Sequence, residues 1–339
     1  MRELTVGAGF VRGLMRLAVS MGASEQELAQ RADIQPPDLL DQDKRIPFRK
    51  YVALMHAAKL ACKDPALGLH YGEAVDVSEI SIVGLLGRAS ETMVDAFAQL
   101  KRYARLIVEV EVDGATADDR FAFSPEGDGI WLVDTRKNPN AFHELTESAF
   151  AHIVCSTRHL GDTPFVKAVQ VTHADPGYRG EYERIFHAPV AFDCARNALR
   201  LDPAWLAKRF SNEPRYVFGI LSAHAQALLT SLENAHTMRG HVESLLMPIL
   251  HTGNVSVDLV AGKLGVSRQT LFRRLKAEGI TFQQVLDALR HRLAMHYLGG
   301  KKVSVNETAY LVGFSDPASF SRAFKRWTGA SPRAVRSQD

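Results

Sequence analysis

Cysteine is scarce in this chain: three in 339 residues, Cys62, Cys155 and Cys194, odd in number and far apart. That excludes a disulfide framework and points to a reducing compartment. None of the three sits at metal-ligand spacing from a histidine. Also missing is any run of about 18 apolar residues, so no membrane-spanning helix is expected. The opening Met1-Arg2-Glu3-Leu4-Thr5 does not follow the basic-then-apolar plan of a secretory signal. The expected location is the cytoplasm. Common catalytic motifs are absent too: there is no Gly-Lys-Ser/Thr phosphate loop and no Gly-x-Ser-x-Gly elbow. His143, Glu144, Glu147 and His152 share one predicted helix without His-Glu-x-x-His spacing, so they read as polar helix surface. No catalytic residue, metal or cofactor is expected.

What is present is an ordinary soluble composition with an uneven charge. Hydrophobic residues make up 46% and charged residues 23%, enough for a folded core in a chain long enough for two domains. The net charge of +3 conceals an asymmetry. Residues 237–339 hold 15 Lys and Arg against 7 Asp and Glu, a net of +8; the remainder holds 26 against 31, a net of −5. A basic end on an acidic body suggests that the end meets a polyanion.

The first hundred residues carry apolar residues at helical spacing, as in Phe48, Val52, Met55 and Leu60. Ser24 and Thr92 stand where helix caps belong, with Glu27 and Asp95 three residues on. The period then changes. Ile107-Val108-Glu109-Val110-Glu111-Val112 alternates apolar and acidic residues and predicts a half-buried strand ending at Asp113-Gly114. Residues 121–123 and 130–133 predict a hairpin around Pro125-Glu126-Gly127-Asp128-Gly129. Residues 140–160 and 182–186 predict helices; residues 166–172, 190–192 and 198–201 predict strands. The body is therefore expected to be an α+β domain. A helix over 216–232 either connects the two domains or forms the seam of a homodimer. The expected division is 1–232 and 237–339.

The last hundred residues contain a degenerate repeat. Val260-Ala261-Gly262-Lys263-Leu264-Gly265-Val266-Ser267 is followed by Leu271, Arg273, Leu275 and Lys276. Thr308-Ala309-Tyr310-Leu311-Val312-Gly313-Phe314-Ser315 is followed by Phe320, Arg322, Phe324 and Lys325. The second copy has one extra residue in its turn. Each copy has the plan of a helix-turn-helix: a small residue (Ala261, Ala309) where the helices cross, and a glycine (Gly265, Gly313) for a left-handed turn. Val266 and Phe314 plug the angle. Ser267 caps one second helix; Asp316-Pro317 opens the other. Thr281 with Gln284, and Ser304 with Glu307, read as capping boxes. The first starts a linking helix, stopped at Gly299-Gly300, and the second starts the second unit. Ser331-Pro332 opens a last short helix. Leu271, Leu275, Phe320 and Phe324 face inward. Gln269, Thr270, Arg273 and Lys276 then face out of the first reading helix, and Ala318, Ser319, Arg322 and Arg326 out of the second.

This end resembles the AraC/XylS family of transcriptional regulators. The resemblance rests on Gly313-Phe314-Ser315-Asp316, on Ser319-Phe320-Ser321-Arg322-Ala323-Phe324-Lys325-Arg326, and on Gly329-Ala330-Ser331-Pro332 with Arg336. Val335 departs from it, standing where an aromatic residue is usual. Phe272 departs too, where a polar residue is frequent; it either meets a thymine methyl or packs. The resemblance implies a regulator, not an enzyme, whose two reading helices enter successive major-groove segments of promoter DNA about 34 Å apart. It implies a nucleoid-associated protein that contacts RNA polymerase. Arg273 and Arg322 are the candidates for bidentate reading of guanine. Gln269, Thr270, Ala318 and Ser319 are secondary candidates, while Arg268, Arg274, Lys276, Lys325 and Arg326 are suited to phosphates.

The body resembles the arabinose-binding-like sensory domain of one branch of the same family, through Tyr178, residues 182–192 and Arg196-Asn197-Ala198-Leu199. That implies a small-molecule effector. Trp131, Phe142, Phe150, Phe165 and Phe192 either line its cavity or form ordinary core. An alternative is a body that only dimerises or binds a protein. Another is an enzyme fused to a regulator, passing alkyl groups to its own cysteine; that chemistry needs an activated or metal-held thiolate, and the dispersed cysteines argue against it.

Overall fold

A computed structural model describes residues 3–112, 120–127, 129–160, 164–206, 208–209, 215–235, 237–299 and 303–338. The turn residues Asp113, Gly114 and Asp128 and the helix stop at Gly300 lie outside the described residues, as does the side chain of Arg336. The chain divides into two compact units, Met1–Leu229 and Thr230–Asp339.

Unit one begins with β1 (Thr5–Gly7), α1 (Ala8–Ser20), α2 (Glu25–Arg31), β2 (Arg45–Pro47) and α3 (Phe48–Cys62). Next come α4 (Leu67–Ala74), α5 (Val77–Ile80), α6 (Ile82–Ala89) and α7 (Met93–Ile107). The caps do as their sequence indicates. Ser24 accepts the Glu27 N–H, and Thr92 and Asp95 form a reciprocal capping box. Val11, Leu14, Leu54 and Met55 from α1 and α3 bury together as one core cluster.

The second half of the unit is built on a mixed sheet. Its strands are β3 (Phe121–Glu126), β4 (Gly129–Asp134), β5 (Val166–Gln170), β6 (Val190–Ala191) and β7 (Asn197–Leu201), in the order β3-β4-β7-β5-β6. The expected hairpin is β3–β4, pairing Phe121 with Asp134 and Glu126 with Gly129. Helices α8 (Glu144–Cys155) and α9 (Arg179–Phe186) accompany the sheet, and α10 (Arg215–Ala235) follows it. The α+β architecture is thus as expected.

Two expectations fail here. The alternating stretch 107–112 is not a strand: α7 runs on to Ile107, and beyond it only isolated bridges form, Val108 with Val6 and Val112 with Arg136. Glu109 is turned inward, where it accepts a hydrogen bond from the Thr5 hydroxyl at 2.7 Å and lies 3.7 Å from Arg105. Nor is the start of α8 polar surface. Glu144 and Glu147 are only 3% and 1% exposed. Glycines 68 and 72 of α4 let α8 approach so closely that a methyl group at either would collide with it. Lys59 then pairs with Glu144 at 2.7 Å. Among the described residues, no group of His, Cys, Asp and Glu could hold a metal ion.

Glu147 accepts hydrogen bonds from Tyr182 (2.6 Å) and Tyr178 (2.7 Å), and burial pushes its carboxyl up to about 7. A carboxyl raised in the fold stabilises fully below its unfolded value, near 4.5, and loses that contribution as pH rises through 7. Glu147→Gln should therefore match the parent at pH 5 and exceed it by roughly 2–3 kcal/mol at pH 8. Urea unfolding at the two pH values checks this; equal differences at both would mean that Glu147 does not titrate in this range.

A cavity of about 700 Å³ lies within unit one, walled by α4 to α8 and β3. Its aromatic lining is Phe10, Tyr51, Tyr71, Phe97 and Phe121. The five aromatic residues singled out from sequence are not among its lining: Phe142, Phe150 and Phe165 are core, and Trp131 carries the Arg196 guanidinium 4.8 Å over its ring.

Unit two is helical: α11 (Met238–Leu246), α12 (Val257–Lys263), α13 (Arg268–Ala277), α14 (Phe282–Gly299), α15 (Val305–Leu311), α16 (Pro317–Thr328) and α17 (Pro332–Gln338). It has two small cores. Leu246, Val260, Leu271 and Leu275 belong to the first, and Ala309, Val312, Phe320 and Phe324 to the second. The linking helix α14 enters both, with Val285 and Leu289 in the first and Ala294 and Leu298 in the second. Val335 packs at the edge of the second core, so the usual aromatic is replaced by a smaller apolar contact.

Candidate nucleic-acid interface

The two turns are built alike. After α12, the Val266 N–H donates to the Ala261 carbonyl and the Gly265 N–H to the Gly262 carbonyl; after α15, Phe314 donates to Ala309 and Gly313 to Tyr310. Both glycines are left-handed, with φ +65° at Gly265 and +79° at Gly313. These bonds satisfy the last carbonyls of each first helix and turn the chain toward the second. Ser267 then caps α13 by accepting the Thr270 N–H, and Asp316 caps α16 by accepting the Ser319 N–H. The extra residue of the second copy is Ser315.

With Leu271 and Leu275 inside, α13 turns Gln269, Arg273 and Lys276 to solvent. None of these three side chains has a hydrogen bond or ion pair among the described residues. Thr270 is half-buried, its hydroxyl 2.9 Å from that of Ser267. Arg268 pairs with Asp258 at 3.3 Å and lies over the ring of Phe272, which is 42% exposed and therefore does not pack inside. On α16, Phe320, Ala323 and Phe324 face inward, and Ala318, Arg322, Lys325 and Arg326 face out. Arg322 donates to the Ser319 hydroxyl at 2.9 Å. Arg326 pairs with Asp287 of α14 at 3.2 Å, so it ties α16 to the linking helix.

Several side chains that support these helices carry no sequence signal. Arg290 of α14 donates to the carbonyls of Val312 (3.1 Å) and Gly313 (2.9 Å), with its guanidinium 4.6 Å over the Phe314 ring. Burial pushes its pKa down, and the bonds to the turn satisfy its N–H groups there. Glu243 of α11 is buried between Arg239 (2.9 Å) and Arg292 (2.8 Å). Burial pushes its carboxyl up, but hydrogen bonds from the two arginines outweigh this and hold it below its ordinary value. Glu278 accepts the backbone N–H groups of Met238 and Arg239, closing the start of α11 from outside that helix.

Two tandem helix-turn-helix units on one rigid linker, each offering an exposed polar and basic face, define a DNA-binding transcriptional regulator. Residues 22–210 match the family described as the arabinose-binding domain of AraC transcription regulators, and residues 260–338 match a helix-turn-helix domain family. The chain belongs to the AraC family of transcriptional regulators. It is 26% identical over 338 residues to the ornithine utilization regulator of Pseudomonas aeruginosa, covering 98% of this chain and 96% of that one. It is 22% identical to the HTH-type transcriptional regulator VirS of Mycobacterium tuberculosis, over 96% and 94% of the two chains. Among solved structures, the transcriptional regulator CdpR from Pseudomonas aeruginosa is 24% identical, covering 92% of this chain and 96% of that one with a TM-score of 0.42. No helix among the described residues is long and apolar enough to cross a membrane.

Proposed function

We propose that residues 237–339 read promoter DNA through α13 and α16, and that residues 1–232 sense a small-molecule effector. The observation that carries the DNA reading is the pair of exposed faces on α13 and α16, each launched from a capped, left-handed glycine turn. Arg273 and Arg322 read bases, with Gln269, Thr270, Ala318 and Ser319 beside them. Lys276 and Arg326 sit where phosphates pass, and α14 spaces the two helices by about one turn of DNA. The cavity in unit one supports effector control over a body that only dimerises. The exposed Val217 and Ile220 on α10 support a homodimer seam as well. The same reading includes contact with RNA polymerase and association with the nucleoid.

The test starts from random double-stranded DNA, from which the full chain selects its site. Affinity for that site should fall steeply with salt, because each neutralised phosphate releases counterions. Lys276→Ala should lower the log–log salt slope by about 1 and leave the preferred sequence unchanged. Failure of the parent chain to select any sequence would refute DNA as the partner, and a flat salt response would refute the phosphate roles of Lys276 and Arg326. The effector reading is tested by adding metabolites to the same complex and measuring its affinity; an affinity that no metabolite alters favours the dimerising body.

A further inference from the structure

The cavity in unit one has a definite chemical character. Its walls are mostly aliphatic and aromatic, from Phe10, Met93, Phe97, Leu100 and Ile153 among others. The charged groups that reach it are matched within the protein. Arg120 binds Asp134 through two hydrogen bonds, at 3.0 and 3.3 Å, and also donates to the Leu145 carbonyl. Asp76 faces Arg88 at 3.2 Å. Glu73 is held by Arg184 at 2.6 Å and Arg158 at 3.2 Å. A formal charge brought into the cavity would find its buried charge, Arg120, already paired, while still losing its own hydration.

Two polar groups of the lining keep an open position: the Tyr51 hydroxyl, which has no hydrogen bond among the described residues, and the ring of His152. Nδ1 of His152 lies 3.2 Å from the Val75 carbonyl oxygen. A carbonyl only accepts, so the ring proton sits on Nδ1. Burial holds this histidine far below its ordinary value, at about 4, so the ring is neutral near pH 7. Nε2 is then a bare acceptor, and among the described residues nothing donates to it. An acceptor in an apolar wall fits a donor on the occupant.

We propose that this cavity takes an uncharged, largely apolar small molecule carrying one hydrogen-bond donor, a hydroxyl or amide N–H, that meets Nε2 of His152. This rests on the effector-sensing reading and gives it a ligand class. It excludes free amino acids and carboxylates as occupants.

The probes are dodecanol, its methyl ether, dodecanoate and leucine, each added to the full chain while thermal unfolding is followed. Dodecanol should bind about tenfold more tightly than the ether, which offers no donor, and the two charged compounds should give no shift. In His152→Leu the alcohol and the ether should become equal; in His152→Gln, whose amide oxygen accepts, the preference for the alcohol should persist. Gly87 lines the cavity, and a Cβ added there meets nothing within 4 Å. Gly87→Leu should therefore stay folded and lose the response by filling the space. Equal binding of alcohol and ether to the parent chain, or a response to dodecanoate or leucine in place of dodecanol, overturns the ligand class and leaves effector sensing standing. Silence of all four probes, together with DNA affinity that no metabolite alters, overturns both.

Discussion

A chain carrying Arg273→Ala and Arg322→Ala together is expected to lose roughly 2–6 kcal/mol of binding to its selected site and to become indifferent to the base at two positions. The magnitude is the sum of two well-separated bidentate contacts, each about 1–3 kcal/mol. The two arginines occupy matching places in the repeat, two residues beyond the first core residue of α13 and of α16. Both are exposed; Arg273 has no partner among the described residues, and Arg322 is merely steadied by Ser319. Neither buries apolar surface that a truncation would forfeit, so stability should change by less than about 0.5 kcal/mol. The check is a binding titration at fixed salt against the selected site and against versions altered one base pair at a time. Each single variant should flatten the preference at one position. A uniform loss across all sequences, with the preference intact, would assign both arginines to phosphates and turn each helix about its axis relative to the groove.

Much of unit two was legible because its signals are local. A cap, a glycine and two apolar residues four apart lie within a dozen residues of one another, and the second copy restates the first. The hidden parts depend on long separations. Lys59 meets Glu144 across 85 positions, and Arg326 meets Asp287 across 39. Arg290 reaches the turn 22 residues ahead. No periodicity encodes such pairs. The stretch after α7 misled for a related reason: alternation marks a strand only if the acidic side faces water, and Glu109 faces Thr5 and Arg105 instead. The start of α8 misled because two glycines on another helix decide how deeply its acids are buried. The cavity was invisible to composition, since the aromatic residues that line it are no different in sequence from those that fill the core.

The repeat also hides an inequality, which substitution of its two glycines should expose. Gly265 and Gly313 have the same role and the same hydrogen bonds, so sequence alone predicts equal costs for an alanine at either. A side chain at Gly265 would meet nothing within 4 Å, leaving only the left-handed strain of about 1–2 kcal/mol. Gly313 is buried, and a Cβ there would fall on the carbonyl oxygen of Leu250, which is backbone and cannot swing aside. The second turn must shift, pulling its carbonyl from Arg290 and its plug Phe314 from beneath the guanidinium. Gly313→Ala should therefore cost roughly 2–5 kcal/mol, strain and overpacking together. Hydrogen exchange separates the two cases. The Phe314 amide, bonded to Ala309, should lose most of its protection in Gly313→Ala; the matching Val266 amide in Gly265→Ala should lose about five- to thirtyfold. DNA binding should follow suit, with reading by α16 abolished in the first variant and reading by α13 kept in the second. Equal losses at the two amides would mean that the second turn is not wedged against Leu250, and that the two reading units are as interchangeable as their sequences suggest.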